Sequence, residues 1–283
     1  MKQIATIGVA GAGAMGLGIT QVFAQHQFKV ILFDVQAQQL EKAQQQITHN
    51  LSAAVAKGKL TEAAKTSALS LVQYTTDLQA LQADLVVEAI VEKMEVKREL
   101  FQTLAAINTP DTLLTSNTSS IPITRIAQGI SHPQRIAGLH FFNPAHLMKL
   151  VEIIAAADTD PEVIKTLEQL VTRIGKTAVV CKDSPGFIVN RVARHYYVES
   201  LKALEERVAP QETIDALMES AGFKLGPFKL MDLVGNDINF AVTSSLYESF
   251  HQDPKFRPSR LQQQKVDAGH LGKKTGKGFY HYE

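Results

Sequence analysis

The sequence predicts an α/β fold, in which a mostly parallel sheet covered by helices carries a helical hairpin insertion and is followed by an all-α C-terminal domain. Three observations predict it. From Ile4 to Val180 short apolar runs alternate with helical patterns, as expected where strands are buried on both faces and joined by crossover helices. The first run passes through a glycine-rich turn straight into an apolar helix. Around Asp183, Ser184, Pro185 and Gly186 the alternation stops, because Pro removes a backbone donor and Gly frees the chain, and only helical patterns follow. The expected domains are residues 1–184 and 185–283, and a chain of 283 residues suits two units at about 150 residues each.

Taken in order, the strands are expected at Ile4–Val9, Val30–Phe33, Leu85–Ala89, Leu113–Ser116, Ile136–Leu139, Val151–Ile154 and Thr177–Val180. Between the second and third, Ala37 to Ser70 is too long for a simple crossover. It is a Gln-rich helical stretch broken at Lys57, Gly58 and Lys59 and restarted by Thr61 with Glu62, which predicts a helical hairpin projecting from the sheet. Beyond the linker, helices are expected over Phe187–Glu206, Thr213–Ala221, Asn236–Phe250 and Arg260–Ala268.

Composition narrows the function classes. With 45% hydrophobic and 20% charged residues the chain is an ordinary globular protein with material for a sizeable core. Its 29 Lys+Arg against 28 Asp+Glu provide no broad field for nucleic acid or an anionic membrane. One cysteine, Cys181, excludes an internal disulfide framework and a Cys-based zinc site, so no metal is expected and a reducing cytoplasmic setting is. No apolar run reaches the about 18 residues of a membrane span. The expected partner is a small molecule or a second copy of the chain.

The turn after the first strand reads Gly11, Ala12, Gly13, Ala14, Met15, Gly16. This is G-x-G-x-x-G between a strand and a helix, the Rossmann dinucleotide fingerprint: one Gly for the tight turn, one for close approach of a pyrophosphate, one for helix packing. The phosphates belong at the helix N-terminus, where free N–H groups and the dipole favour an anion. Asp34 ends the second strand, placed to accept from a ribose 2′-hydroxyl and to repel a 2′-phosphate, while Val35 and Gln36 add no cation. The cofactor expected is NAD rather than NADP.

For the chemistry, His140 closes one strand within Gly138–Pro144 and Glu152 opens the next. Neighbouring strands joined that way can set an imidazole beside an orienting carboxylate, although a His at a strand end also reads as structural. Asn117, Thr118, Ser119 and Ser120 follow another strand at the carboxyl edge, where ligands bind in open α/β sheets; they also read as an N-cap for a helix near Ile123.

Gly11–Gly18, Ser116–Ser120, Gly138–Pro144, Met148–Glu152, Asp183–Arg191 and Leu271–Tyr280 together resemble the 3-hydroxyacyl-CoA dehydrogenases, in particular the short bacterial 3-hydroxybutyryl-CoA type, across essentially the whole chain. The resemblance implies NAD-dependent interconversion of an L-3-hydroxyacyl-CoA and a 3-oxoacyl-CoA. It makes His140 the acid-base residue and Glu152 its partner, and gives Ser119 and Asn190 substrate contacts. Glu92, Lys97, Asn117, Asn143 and Lys274 go to the cofactor neighbourhood, though Glu92, Lys97 and Lys274 also read as solvated surface charges. Lys57, with Lys59 beside it, matches the position that meets the CoA phosphates. Asn50, one face further back, is given a CoA contact by the same resemblance, at a position where relatives can carry Ser. A homodimer is implied too, in keeping with the apolar faces of the C-terminal helices. At position 146 relatives carry a second Pro; His146 here is expected to loosen the loop and to add a titratable group.

Met231–Thr243 is similar to the 3-hydroxyadipyl-CoA dehydrogenases of phenylacetate breakdown. Asn236, Asn239, Thr243 and Tyr247 form one polar stripe at helical spacing, which, with Arg257, is expected to receive a distal carboxylate; a solvent- or dimer-facing stripe is the plainer reading. Two further classes stay open: a non-catalytic NAD-binding protein, and a β-hydroxyacid dehydrogenase with a helical Lys as acid-base group.

Overall fold

The sheet consists of β1 (Thr6–Ala10), β2 (Lys29–Phe33), β3 (Val72–Thr75), β4 (Leu85–Glu88), β5 (Leu113–Ser116), β6 (Ile136–Phe141), β7 (Leu150–Ala155) and β8 (Thr177–Lys182). Their spatial order in the computed structural model, which describes residues 4–283, is β3-β2-β1-β4-β5-β6-β7-β8. Every pairing is parallel except β6 with β7, which runs antiparallel. Chain direction across the sheet reverses between β1 and β4, and at such a switch point the loops leaving the two carboxyl ends part to leave a crevice.

Helices α1 (Ala14–Gln25), α2 (Ala37–Ala56), α3 (Glu62–Ser70), α4 (Met94–Ile107), α5 (Ile123–Ala127) and α6 (Pro161–Arg173) complete the first unit, Met1–Ser184. One core cluster joins Ile19 and Phe23 of α1, Ala43, Ile47 and Leu51 of α2, and Leu167 and Val171 of α6 to inward residues of β1, β2, β6 and β7. Thr61 starts α3 by accepting from the Ala64 N–H at 3.1 Å, a cap worth about 1 kcal/mol.

Three expectations are corrected here. The hairpin does not merely project, because the inner face of α2 and α3 packs on α1. Strand β3 is an eighth strand; with four residues on the sheet edge, Gln73 exposed and the other three half-buried, it lacks the apolar run of a central strand. In the second unit the short helix α9 is likewise unforeseen, enclosed between Gly226 and Gly235 and started by Pro227.

That unit, Pro185–Glu283, holds α7 (Val189–Glu205), α8 (Gln211–Ser220), α9 (Pro227–Val234), α10 (Asn236–Ser249) and α11 (Arg260–Asp267). Tyr197, Leu201, Phe228, Met231 and Phe279 form its core. The Leu271–Tyr280 segment is a latch: Asp232, 1% exposed, accepts from the N–H groups of Phe279 and Tyr280, from the Asn236 amide and from the Tyr282 hydroxyl. No described helix is long and apolar enough to cross a membrane.

Candidate active site

The glycine fingerprint does what its backbone geometry requires. Gly11 adopts φ +103°, where a Cβ would strike the Ala89 carbonyl, and a Cβ on Gly16 would sit 1.7 Å from the Gly11 carbonyl oxygen. Gly13, by contrast, faces open space and precedes the first residues of α1 without a side-chain cap, leaving the helix N-terminus to an incoming anion. The Asp34 carboxylate accepts from the Ala12 N–H at 2.8 Å and the Gln36 N–H at 2.9 Å, so it is held at the lip of the loop. Gly11, Gly13, Asp34, Val35, Leu78, Ala89, Ile90, Val91 and Leu100 line a cavity of about 530 Å³ at the switch point. Apolar walls, an anchored carboxylate and a bare backbone fit the adenosine and pyrophosphate of a dinucleotide.

At the far side of the same sheet edge, the antiparallel register sets His140 directly opposite Glu152. Their side chains lie on one face, with Nδ1 2.8 Å from Oε2, both buried at 5% and 0% exposure. Against an ionised carboxylate, which only accepts, Nδ1 donates and Nε2 is the basic nitrogen. The Phe142 ring lies 4.5 Å from the imidazole. Asn117 ties this end of the sheet together by accepting the Phe141 N–H at 2.8 Å.

Glu92, Lys97 and Ser119 meet in one network. Lys97 is no surface charge: at 1% exposure its ammonium bridges Glu88 Oε1 at 2.6 Å and Glu92 Oε2 at 3.1 Å. Glu92 gathers the next loop, accepting from the Ser119 N–H and the Ser120 hydroxyl at 3.1 Å each and from the Thr118 hydroxyl. Burial raises the Glu92 pKa, but the Lys97 charge and the Thr118, Lys97 and Ser120 hydrogen bonds outweigh it and hold the carboxyl below its usual range. Helix α5 is capped by no side chain, so the N-cap reading of Asn117–Ser120 fails. Glu88 was not anticipated; the signal was a lone carboxylate closing the buried Leu85–Val86–Val87 run.

The loop after β6 is not loose. Lys176 donates to the carbonyls of Ala145 at 2.7 Å and Met148 at 2.6 Å, and Leu147 and Met148 turn back onto the Pro144 carbonyl. Asn143 stands exposed on it. Lys57 and Lys59 are exposed at the hairpin tip, while Asn50 is engaged by Gln21 at 3.0 Å and Gln46 at 2.8 Å, pinning α2 to α1.

In the second unit, Asn190 lies in the first turn of α7. Lys274 grips both carboxylate oxygens of Asp237 at 2.6 and 2.7 Å, a partner the sequence did not reveal. Three of the four stripe residues are interior rather than solvent-facing: Asn236, Asn239 and Thr243 are at most 2% exposed and bond to Asp232, Gln262 and Arg194, whereas Tyr247 is half-buried and Arg257 is exposed. With these groups already committed to each other, the stripe does not offer a carboxylate pocket.

Residues 6–184 match the model of the 3-hydroxyacyl-CoA dehydrogenase NAD-binding domain and residues 186–282 that of the 3-hydroxyacyl-CoA dehydrogenase C-terminal domain. A 3-hydroxyadipyl-CoA dehydrogenase of Escherichia coli is 50% identical over 282 residues, covering 99% of this chain and 59% of that protein, so the chain spans about three fifths of that relative. A 3-hydroxybutyryl-CoA dehydrogenase of Bradyrhizobium diazoefficiens is 42% identical, covering 99% of this chain and 96% of the other. The crystal structure of an (S)-3-hydroxybutyryl-CoA dehydrogenase from Ralstonia eutropha superposes with a TM-score of 0.96 at 37% identity, covering 99% of this chain and 100% of that one. Two consecutive matches that run nearly end to end leave one conclusion: the chain belongs to the 3-hydroxyacyl-CoA dehydrogenase family, and its first unit is that family's NAD-binding domain.

Proposed function

We propose that the protein is an NAD-dependent dehydrogenase that interconverts L-3-hydroxyacyl-CoA and 3-oxoacyl-CoA, of the 3-hydroxybutyryl-CoA type. The observation that carries this reading is the buried His140–Glu152 pair, 2.8 Å apart at the same sheet edge as the dinucleotide cavity. His140 takes the proton of the 3-hydroxyl on Nε2, and Glu152 orients the ring and stabilises the imidazolium. NAD, when bound, accepts the hydride from C3. Ser119 and Asn190 donate to the substrate oxygens, Lys57 meets the CoA phosphates with Asn50 behind it, and Glu92, Lys97, Asn117, Asn143 and Lys274 serve the cofactor side.

The 50% identity to a protein named 3-hydroxyadipyl-CoA dehydrogenase supports a second reading, in which a dicarboxylic acyl chain is preferred. Exposed Val192, Leu217, Phe223, Leu233 and Ile238 on the second unit support a homodimer, and the single cysteine supports a reducing, cytoplasmic setting.

The test is loss of the NADH absorbance band on addition of acetoacetyl-CoA. Turnover is expected. NADH binding without turnover would indicate a non-catalytic relative, and oxidation of a free hydroxy acid but not the thioester would point to the β-hydroxyacid class. Comparing kcat/KM for 3-hydroxybutyryl-CoA and 3-hydroxyadipyl-CoA decides the acyl preference, and sizing in solution checks the dimer.

A further inference from the structure

The loop between β6 and β7, residues 142–149, starts two positions after His140 and has little packing of its own. Asn143, Pro144, Leu147, Met148 and Lys149 are exposed, and only Ala145, at 1% exposure, is enclosed. Outside the strand pairing, its carbonyls need partners of another kind. That of Pro144 receives the N–H groups of Leu147 at 2.9 Å and Met148 at 3.0 Å, which closes a turn. Those of Ala145 and Met148 both receive the Lys176 ammonium, at 2.7 and 2.6 Å. Lys176 stands between α6 and β8 with its own N–H returned to the Val171 carbonyl at 3.1 Å, so the strap is anchored in regular structure. It is half-buried, and these two carbonyls are its hydrogen-bond acceptors. Burial accordingly lowers its pKa. On the opposite side the loop meets α1, where a Cβ on Gly18 would lie 3.0 Å from the Ala145 Cβ.

The loop in turn touches the imidazole. The Phe142 ring, its first residue, lies 4.5 Å from the His140 ring at 53°. The contact matters because the Glu152 hydrogen bond holds one ring nitrogen only. A single hydrogen bond is a pivot, and the second torsion of a histidine side chain is broad, so the bond alone leaves Nε2 free to swing. A packed ring on the imidazole removes that freedom, and the segment bearing this ring is the one Lys176 straps down.

We propose that Lys176 is a positioning residue for proton transfer: by gripping the Ala145 and Met148 carbonyls it holds Phe142 against His140 and so aims Nε2. The proposal rests on the dehydrogenase reading above, in which His140 is the acid-base group, and adds to it a residue 36 positions away in sequence.

The experiment is a double-mutant cycle on the full chain with Lys176→Met and Phe142→Ala, reading kcat and KM for acetoacetyl-CoA and NADH affinity by fluorescence. Each single variant is expected to lower kcat about 10- to 100-fold, the scale of a misaimed reacting group, with KM and NADH affinity within about twofold. Because one acts through the other, the double variant should fall within about twofold of the worse single one. Ethylammonium ions, which restore a donor to the two carbonyls, should recover kcat of Lys176→Ala saturably, and potassium ions at equal ionic strength should not. Hydrogen exchange at the Leu147 and Met148 amides should speed up at least tenfold in Lys176→Met. Losses that multiply in the double variant, an unchanged kcat in Lys176→Met, or unchanged exchange overturn the proposal. Should a thermal melt show Lys176→Met unfolded, Lys176→Arg, which keeps donors for both carbonyls, is expected to hold kcat within about fivefold, and a larger loss without any loss in Phe142→Ala is equally fatal. Absence of turnover in the unaltered protein would instead break the dehydrogenase reading, and the exchange rates would then judge the strap by themselves.

Discussion

His140 and Glu152 are cross-strand partners in the sheet's only antiparallel pairing among the described residues, with Nδ1 and Oε2 2.8 Å apart. A parallel strand at this position would need a long crossover, whereas the antiparallel return after a short loop puts residues 12 apart in sequence face to face. Replacing His140 by Asn is expected to lower kcat by about 10²- to 10⁴-fold, the range of positioned acid-base catalysis, and Glu152→Gln by nearly as much. NADH affinity, read by fluorescence, should stay within about twofold in both. A His140→Asn enzyme retaining a tenth of the unaltered turnover would assign the base elsewhere.

His146 lies in the loop that follows β6. Burial, and then the nearby Lys176 charge, lower its pKa, so it is neutral at neutral pH. Below the ordinary imidazole range the unfolded chain binds the proton first, so this group subtracts stability as pH falls through about 6.5 towards the folded value. His146→Asn should therefore reduce the shift in urea midpoint between pH 7 and pH 5. It should also leave the acid limb of the pH–rate profile in place, and a moved limb would make His146 part of the proton-transfer machinery.

Asp34 holds two backbone N–H groups at the lip of the glycine loop. The unaltered protein is expected to use NAD well over NADP in kcat/KM. Asp34→Ala should narrow the gap by lowering NAD use about 10- to 100-fold, through loss of the ribose acceptor and of the loop's hydrogen bonds. Equal use of both cofactors before substitution contradicts this.

Lys57 stands exposed at the tip of the α2–α3 hairpin beside Lys59. Lys57→Glu is expected to raise KM severalfold for CoA thioesters but not for a pantetheine-truncated substrate that lacks the phosphates, and the difference should shrink with added salt. Parallel losses on both substrates would mean that the residue acts through the hairpin's fold.

In the second unit, Asp232→Ala removes the acceptor for four donors, two of them the N–H groups of Phe279 and Tyr280. The stability loss is expected at about 2–4 kcal/mol in urea titration, because buried donors left unpaired carry their full desolvation cost. A loss under about 0.5 kcal/mol would show that the C-terminal segment is held by its aromatic packing alone.

What the sequence by itself determined is local. Apolar runs, the glycine turn and the Pro–Gly break each state a backbone preference within a few residues, and with them came most strands, the hairpin, the dinucleotide loop and the place of Asp34. The His140–Glu152 pair was legible only as two strand-end residues in neighbouring runs, since strand pairing, not spacing, makes them touch. Tertiary structure alone decided which charges are buried. Lys97 reads in sequence as one more surface lysine on a helix, and becomes the centre of a buried network because α4 delivers it against the end of β4. The stripe Asn236–Asn239–Thr243 shows the converse: helical periodicity identified its common face, but only the packing of α7 and α11 against α10 determined that the face points inward to Arg194 and Gln262. Burial is a property of long-range contacts, and no local pattern encodes which neighbour arrives.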